Sequence, residues 1–500
     1  WSYVGAFFRL NYGYKGKYLA EVSGRYDGSS KFPTNSKWGF FPSASVAWRV
    51  SEEPWMKWSE EWLDNFKIRL SAGSMGNGNV DPYSYTSEMT VATASDIVLG
   101  GGLPSYTTVG STVPVSLTWE KSTTYDVGLD LDFFNNRLSV SGDYYRRYTT
   151  DMYTASVALP AVYGTGSPKG NNAEMKTDGW ELSLSWRDSF KLGGKPFDYS
   201  IKAMVWDNRT VVTKYENATR SLGTLKGYIQ NGGSPSDFYE GMELGEMWGY
   251  TVAGLFRDQA DIDSSATHDF TQASDKVTRP GQVKIADLDH NGNIDPGAFT
   301  ADDHGDLSII GNINPHYMFG VNLAANWNGI GLSVFLQGVM KRDWYPSPDS
   351  GYFWGKYARP FMWVLGIHNY TDDMYSEEKN NWDTAYWPRM TTYQSNSSYS
   401  WTKLLEIPNT RYKQNAAYLR VKNIQVDYTF PKALCQKIRL GGLKIYLSGE
   451  NLFTFTPLHK YAPNFDPEAL GYDTDFSSTA GDGYTYPVLK SVTLGVNITF

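Results

Sequence analysis

Only one cysteine, Cys435, occurs in the 500 residues, so no internal disulfide can staple this chain. No run of 18 apolar residues is present, which excludes a transmembrane helix and leaves crossing by strands untouched. A basic excess is also missing: 45 Lys+Arg stand against 53 Asp+Glu, giving net −8, the wrong sign for a nucleic-acid binder. The 6 histidines form no H-E-x-x-H pair, and neither a phosphate-binding glycine loop nor a G-x-S-x-G elbow occurs. Carboxylates such as Glu120 and Asp343 have no catalytic spacing, so the sequence predicts no enzyme.

What is abundant is aromatic and glycine residues, with 36 Tyr, 18 Trp and 48 Gly, the composition of many strands and many turns. Alternation is the dominant pattern. In YDVGLDLDF, Tyr125, Val127, Leu129, Leu131 and Phe133 share one face, while Asp126, Asp130 and Asp132 share the other. Three carboxylates on one strand face require water there. Asn135 and Asn136 then offer the positive φ of a tight turn before RLSVSGDYY. The same pattern recurs in YLAEVSGRY, in WELSLSWR, and in YMFGVNLAANW, which turns at Asn328-Gly329. The last ten residues, SVTLGVNITF, alternate without a break and end on Phe500.

A soluble β-sandwich or propeller also alternates. Its strands usually run about 5–6 residues. These are longer, close to the about 9–11 residues that cross a bilayer as a tilted strand, and carry aromatics near their ends. The predicted fold is therefore all-β, a large antiparallel transmembrane barrel with a polar lumen. A mean hydropathy of −0.44 agrees, because lipid-facing and lumen-facing residues average out. Residues 75–118, 205–315 and 340–416 alternate little and are expected to be long extracellular loops carrying ligand chemistry. Strand-like sequence begins at Trp1, so the chain is expected to be part of something longer.

Two loop segments could carry chemistry. DLDHNGNID sets Asp287, Asp289 and Asn291 at positions 1, 3 and 5 of a calcium-type loop, with Gly292 at position 6 and Asn293 and Asp295 following. Ala298 stands where a bidentate Glu would complete it, so Asp302, Asp303 or Asp306 must close the shell, or else the segment is a plain Asp/Asn/Gly turn. In the third loop Trp344, Tyr345, Trp354, Trp363, Trp382, Tyr386 and Trp387 lie among Asp, Asn and Arg. Flat rings beside polar forks suit the faces and edges of a sugar; they suit loop packing or a protein interface equally.

LTWEKSTTYDVGLDLDFFNNRLSVSGDYYRRYTTDMY, GNNAEMKTDGWELSLSW, the 287–320 stretch, AYLRVKNIQVDYTFP, SGENLFTFT and the terminal YPVLKSVTLGVNITF, in that order, resemble the SusC/RagA-like TonB-dependent transporters of Bacteroidota outer membranes. The resemblance implies the C-terminal part of such a barrel, with the plug, its TonB-contacting segment and the first strands outside this chain. It implies import of oligosaccharides beneath a SusD-like surface lipoprotein, energised by the TonB complex through the plug. Some relatives take peptides instead, and the acidic face of Asp126, Asp130 and Asp132 would suit cationic ones. It implies Phe500 as an insertion signal read by the barrel-assembly machinery. A secreted soluble glycan-binding β-protein is the alternative of another class; calcium is the one cofactor expected.

Overall fold

The computed structural model describes residues 1–87, 89–110, 113, 117–155, 162, 169–222, 238–268, 278–346, 353, 373–389, 408–470 and 488–500. Thirteen strands form one antiparallel sheet in sequence order. They are β1 (Tyr3–Tyr14), β2 (Tyr18–Ser29), β3 (Trp38–Arg49), β4 (Leu63–Asn77), β5 (Glu120–Phe133), β6 (Leu138–Ala155) and β7 (Lys169–Leu192). The series continues with β8 (Lys195–Lys214), β9 (His316–Trp327), β10 (Ile330–Lys341), β11 (Tyr418–Thr429), β12 (Gly442–Phe455) and β13 (Ser491–Thr499). Successive connections fall at alternate ends of the strands, and the four longest, 78–119, 215–315, 342–417 and 456–490, all fall at the same end. No helix among the described residues is long and apolar enough to cross a membrane.

By compactness the chain divides into two units. The first comprises Trp1–Leu182 with Asn208–Ala218 and Tyr239–Glu243. Its tight turns use left-handed backbone where the sequence allows it: Lys15 and Gly16 at φ 51 and 67, Asn135 and Asn136 at 58 and 57. The register pairs Leu70 with Val127 and Lys67 with Asp130 across the long 78–119 connection. Apolar side chains look outward: Val46, Leu70 and Val127 are 52%, 47% and 53% exposed. The charged side chains of Arg69 and Asp130, on the opposite face, are only 30% and 27% exposed. A water-soluble sandwich would bury the first set and expose the second, so the soluble alternative does not describe this sheet.

Aromatic rings cluster at both strand ends of this unit. Trp48 and Trp55, Trp58 and Trp62, and Trp62 and Phe133 meet near the short turns, and Tyr26 stacks on Trp38 near the long connections. A small core of Phe32, Phe41, Val80, Leu117 and Trp119 anchors the first long connection.

The second unit comprises Ser183–Asp207, Thr219–Phe238 and Leu244–Phe500. Asn328 and Gly329 make the β9–β10 turn at φ 47 and 89, as their sequence predicts. β8 runs to Lys214, so regular structure continues ten residues into the stretch that reads as loop from 205. Val212 is held there by a distant segment, its N–H donating to the Met242 carbonyl and its carbonyl accepting from the Gly241 N–H, each at 2.9 Å, a partner that local alternation does not announce. The 215–315 connection holds its own small sheets, Glu246–Tyr250 with Leu307–Asn312, and Val252–Leu255 with Val283–Ile285.

Candidate functional site

Four groups of residues bear on function. On the polar face of the first unit, Arg69 forks across two strands, its Nε donating to Asp130 at 2.9 Å and an amino group lying 2.9 Å from Asp143. Lys67 stands 3.6 Å from Asp130, and the Ser141 hydroxyl donates to it at 2.8 Å. Asn65 donates to Asp132 at 3.0 Å. Of the three predicted carboxylates, Asp130 and Asp132 are thus tied into a polar network, with Asp126 on the same face. Salt bridges and side-chain amides hold this charge in place without drying it.

The Asp-rich loop lies in the second unit. The Gly292 N–H donates to Asp287 Oδ2 at 3.0 Å, folding position 6 back on position 1, and Gly292 itself sits at φ 83. The Asn291 N–H donates to Asp289 Oδ1 at 3.0 Å. Carboxylate oxygens of Asp287, Asp289 and Asp306 all lie within 4.8 Å of one another. Asp287 Oδ1 is buried with no hydrogen-bond partner among the described residues. Asp306 is fully buried and accepts from the N–H groups of Leu288 at 2.6 Å and Asp295 at 2.9 Å. Burial pushes the Asp306 carboxyl upward, the two N–H donors oppose this, and the charges of Asp289 and Asp287 add to it.

The sequence set is therefore rearranged. Asp287 and Asp289 come together with Asp306, the residue that closes the group from further along. Asp295 stays one step out, its Oδ2 accepting from the Asn291 amide at 3.2 Å, and Asn293 is exposed in the two-residue strand Asn293–Ile294. Asp302 instead pairs with Arg220. An all-oxygen donor set with a glycine-turned loop is the chemistry of a hard divalent cation, and these residues fit calcium.

The aromatic segment forms a packed body. Trp344, Tyr345 and Trp387 are 2%, 3% and 3% exposed, so ring packing rather than ligand occupies their faces. Trp387 stacks on Tyr412 at 5.6 Å, and Tyr386 stacks on Tyr461 with ring planes 4° apart. Trp344 packs on Phe465 at 5.0 Å. Tyr345 accepts from the Asn409 amide at 2.8 Å, and Gln414 donates to the Tyr386 hydroxyl at 2.9 Å. Burial raises the Tyr386 and Tyr412 hydroxyls well above the ordinary tyrosine range, keeping both neutral. Trp382 is half-buried. Trp354 and Trp363 lie outside the described residues.

The residues that sequence reasoning missed are on the last long connection. Buried Arg420, at the start of β11, pairs with Asp466 and with Glu468 at 2.5 Å, and Lys422 reaches Glu468 at 2.8 Å. Arg342 donates to the carbonyls of Pro467 and Leu470, each at 3.0 Å. Their one sequence signal is a cluster of opposite charges at the upper ends of strands and in the loop between them.

Residues 2–278, more than half of the chain, match the family described as TonB dependent receptor-like, beta-barrel. The chain is 28% identical over 508 residues to TonB-dependent receptor P3 of Formosa agariphila, covering 99% of this chain and 45% of that protein. It is 26% identical over 512 residues to TonB-dependent receptor SusC of Bacteroides thetaiotaomicron, covering 99% and 44%. Among solved structures it resembles the RagAB peptide importer in its open-open state, with TM-score 0.71 and 21% identity over 100% of this chain and 47% of that one. The chain thus spans about half the length of the curated relatives it matches.

Proposed function

This chain belongs to the TonB-dependent receptor family, and on that premise we propose that it forms the C-terminal wall and outer loops of an outer-membrane importer of oligosaccharides. A SusD-like surface lipoprotein covers the loops, and the TonB complex supplies energy through a plug outside this chain. Nothing is chemically transformed: ligand is bound, enclosed and released. The observation that carries the reading is the inverted sheet, apolar outside and hydrogen-bonded charge inside, bearing long, internally packed connections at one end only. Trp382 and the polar groups around the aromatic body are the ligand contacts of this reading, with Trp354 and Trp363 as further candidates.

A second reading has its own support. Asp126, Asp130, Asp132 and Asp143 line one polar face, which favours cationic peptides, and the RagAB neighbour is a peptide importer. Calorimetry of the full-length protein with its lipoprotein, titrated with oligosaccharides and with basic peptides, decides between them. Heat with one glycan class supports the first reading. Heat with peptides alone transfers the site to the second.

Calcium at Asp287, Asp289 and Asp306 is a structural proposal within either reading. The buried, unpartnered Asp287 Oδ1 supports it, because a cation would satisfy that oxygen and cancel the mutual repulsion of the three carboxylates.

A further inference from the structure

On the polar face of the first unit, Arg9, Arg25, Arg49, Lys67 and Arg69 each meet a carboxylate. Arg147 does not. It lies on the same face, opposite Thr124 in the β5–β6 pair and two same-face positions beyond Asp143 toward the long connections. Arg147 is exposed, and among the described residues it makes no ion pair. The nearest rows of the wall explain why. Asp143 is bound to Arg69, and the two Glu120 oxygens accept from the Asn77 amide and the Tyr153 N–H.

The guanidinium is nevertheless held in place. Gly179 on β7 faces the Tyr145 ring, where a Cβ would collide with it, so glycine there lets the ring lie against the wall. The Arg147 guanidinium stands over that ring at 5.7 Å, and the negative π face favours a cation. Its Nε donates to the Thr124 hydroxyl at 3.3 Å, which orients the fork. The two terminal amino groups make no hydrogen bond among the described residues. Thr177 shares the face of Gly179 by alternation and meets Thr210 hydroxyl to hydroxyl at 2.8 Å, so neutral donors and acceptors adjoin the cation. An exposed, oriented guanidinium with both amino groups open is the geometry that grips a planar oxyanion through two parallel N–H bonds.

We propose that Arg147 is a subsite for an acidic oligosaccharide, its amino groups holding a carboxylate or sulfate group of the sugar. The hydroxyls of Thr124, Thr177 and Thr210 serve the neutral edges of the same chain. The proposal rests on the oligosaccharide reading and narrows it to glycans with spaced negative charges. Asp126 and Asp143, nearer the short turns, disfavour an unbroken run of anions along the wall.

The test is calorimetry of the full-length protein with its lipoprotein. The probes are an oligogalacturonate with its carboxyl-reduced neutral counterpart, and a sulfated oligosaccharide with its desulfated form. Wild type binds at least one charged probe about tenfold more tightly than its neutral counterpart, and which one identifies the anion as carboxylate or sulfate. Arg147→Gln removes that preference and leaves affinity for the neutral form within about twofold. Arg147→Lys, which keeps the charge without the fork, recovers part of it. Heat-modifiable gel mobility, the mark of a folded barrel, is unchanged in both variants. Neutral and charged probes bound equally by wild type overturn the proposal alone, as does an Arg147→Gln variant that keeps the preference. Equal weakening of both forms by Arg147→Gln also overturns it and gives the residue to the plug or the wall. Heat with basic peptides and with no glycan defeats the oligosaccharide reading itself.

Discussion

The Arg420 guanidinium, 3% exposed at the start of β11, holds Glu468 at 2.5 Å and ties the last long connection to the sheet. With Asp466 and Lys422 it makes a compact set of two cations and two carboxylates. Removing one member of such a buried set strands the others. Arg420→Met is therefore expected to destabilise this region by about 3 kcal/mol or more. Limited proteolysis should cut residues 456–470 faster in the variant. Arg420→Lys should recover part of the protection, and equal cleavage rates for wild type and Arg420→Met would remove the clamp from the account.

His268 should make the 244–313 body pH-sensitive. Its Nε2 accepts from the Ile285 N–H at 2.9 Å, and Nδ1 lies 2.9 Å from the Ala266 carbonyl, so the neutral, Nδ1-protonated ring satisfies both contacts. Burial holds its pKa below the ordinary 6.5, and the Lys284 charge acts in the same direction. The unfolded segment titrates near about 6.5 and so binds the proton first as pH falls. Stability from this group is full above that pH and is lost progressively below it, toward the lower folded value. Hydrogen exchange of the Ile285 amide, corrected for intrinsic rate, should accelerate between pH 7 and 5. His268→Gln should flatten that dependence.

Chelation should lower the melting temperature of the purified protein if Asp287, Asp289 and Asp306 hold calcium. Saturation at a hundredfold excess over Kd corresponds to about 2.7 kcal/mol. Asp289→Ala should abolish the response to chelator and to added calcium. An unchanged melting curve in wild type returns the segment to an ordinary turn.

Gly495 faces the Tyr446 ring across the β12–β13 pair, and a Cβ built there would collide with that ring. Gly495→Val should hinder pairing of the last strand and reduce the heat-modifiable, folded fraction on a gel. Tyr446→Ala in the same chain should restore it. Failure of the double variant to recover would mean that backbone rather than ring contact sets the requirement.

The two-residue period, the turns at Asn135-Asn136 and Asn328-Gly329, and the front of the Asp287 loop were all legible in the sequence because each is a local property. Alternation states which residues share a face wherever the strand lies, and a left-handed turn needs only its own residues. Family resemblance rested on such local blocks as well. The sequence by itself thus determined the strand pattern, the sign of each face and the candidate oxygen ligands.

Only the tertiary structure decided what met across distance. Arg69 finds Asp130 from 61 positions away because the β4–β5 register sets it opposite Gly128, one same-face step from Asp130, whatever lies in the loop between. Asp306 enters the Asp287 group through the return of the chain, a choice among three nearby aspartates that spacing could not make. Trp344 and Trp382 look alike in composition, yet Phe465 from a distant connection covers the first, while the second remains half open. Burial of a ring is a property of its neighbours, and those neighbours arrive only when the chain has folded.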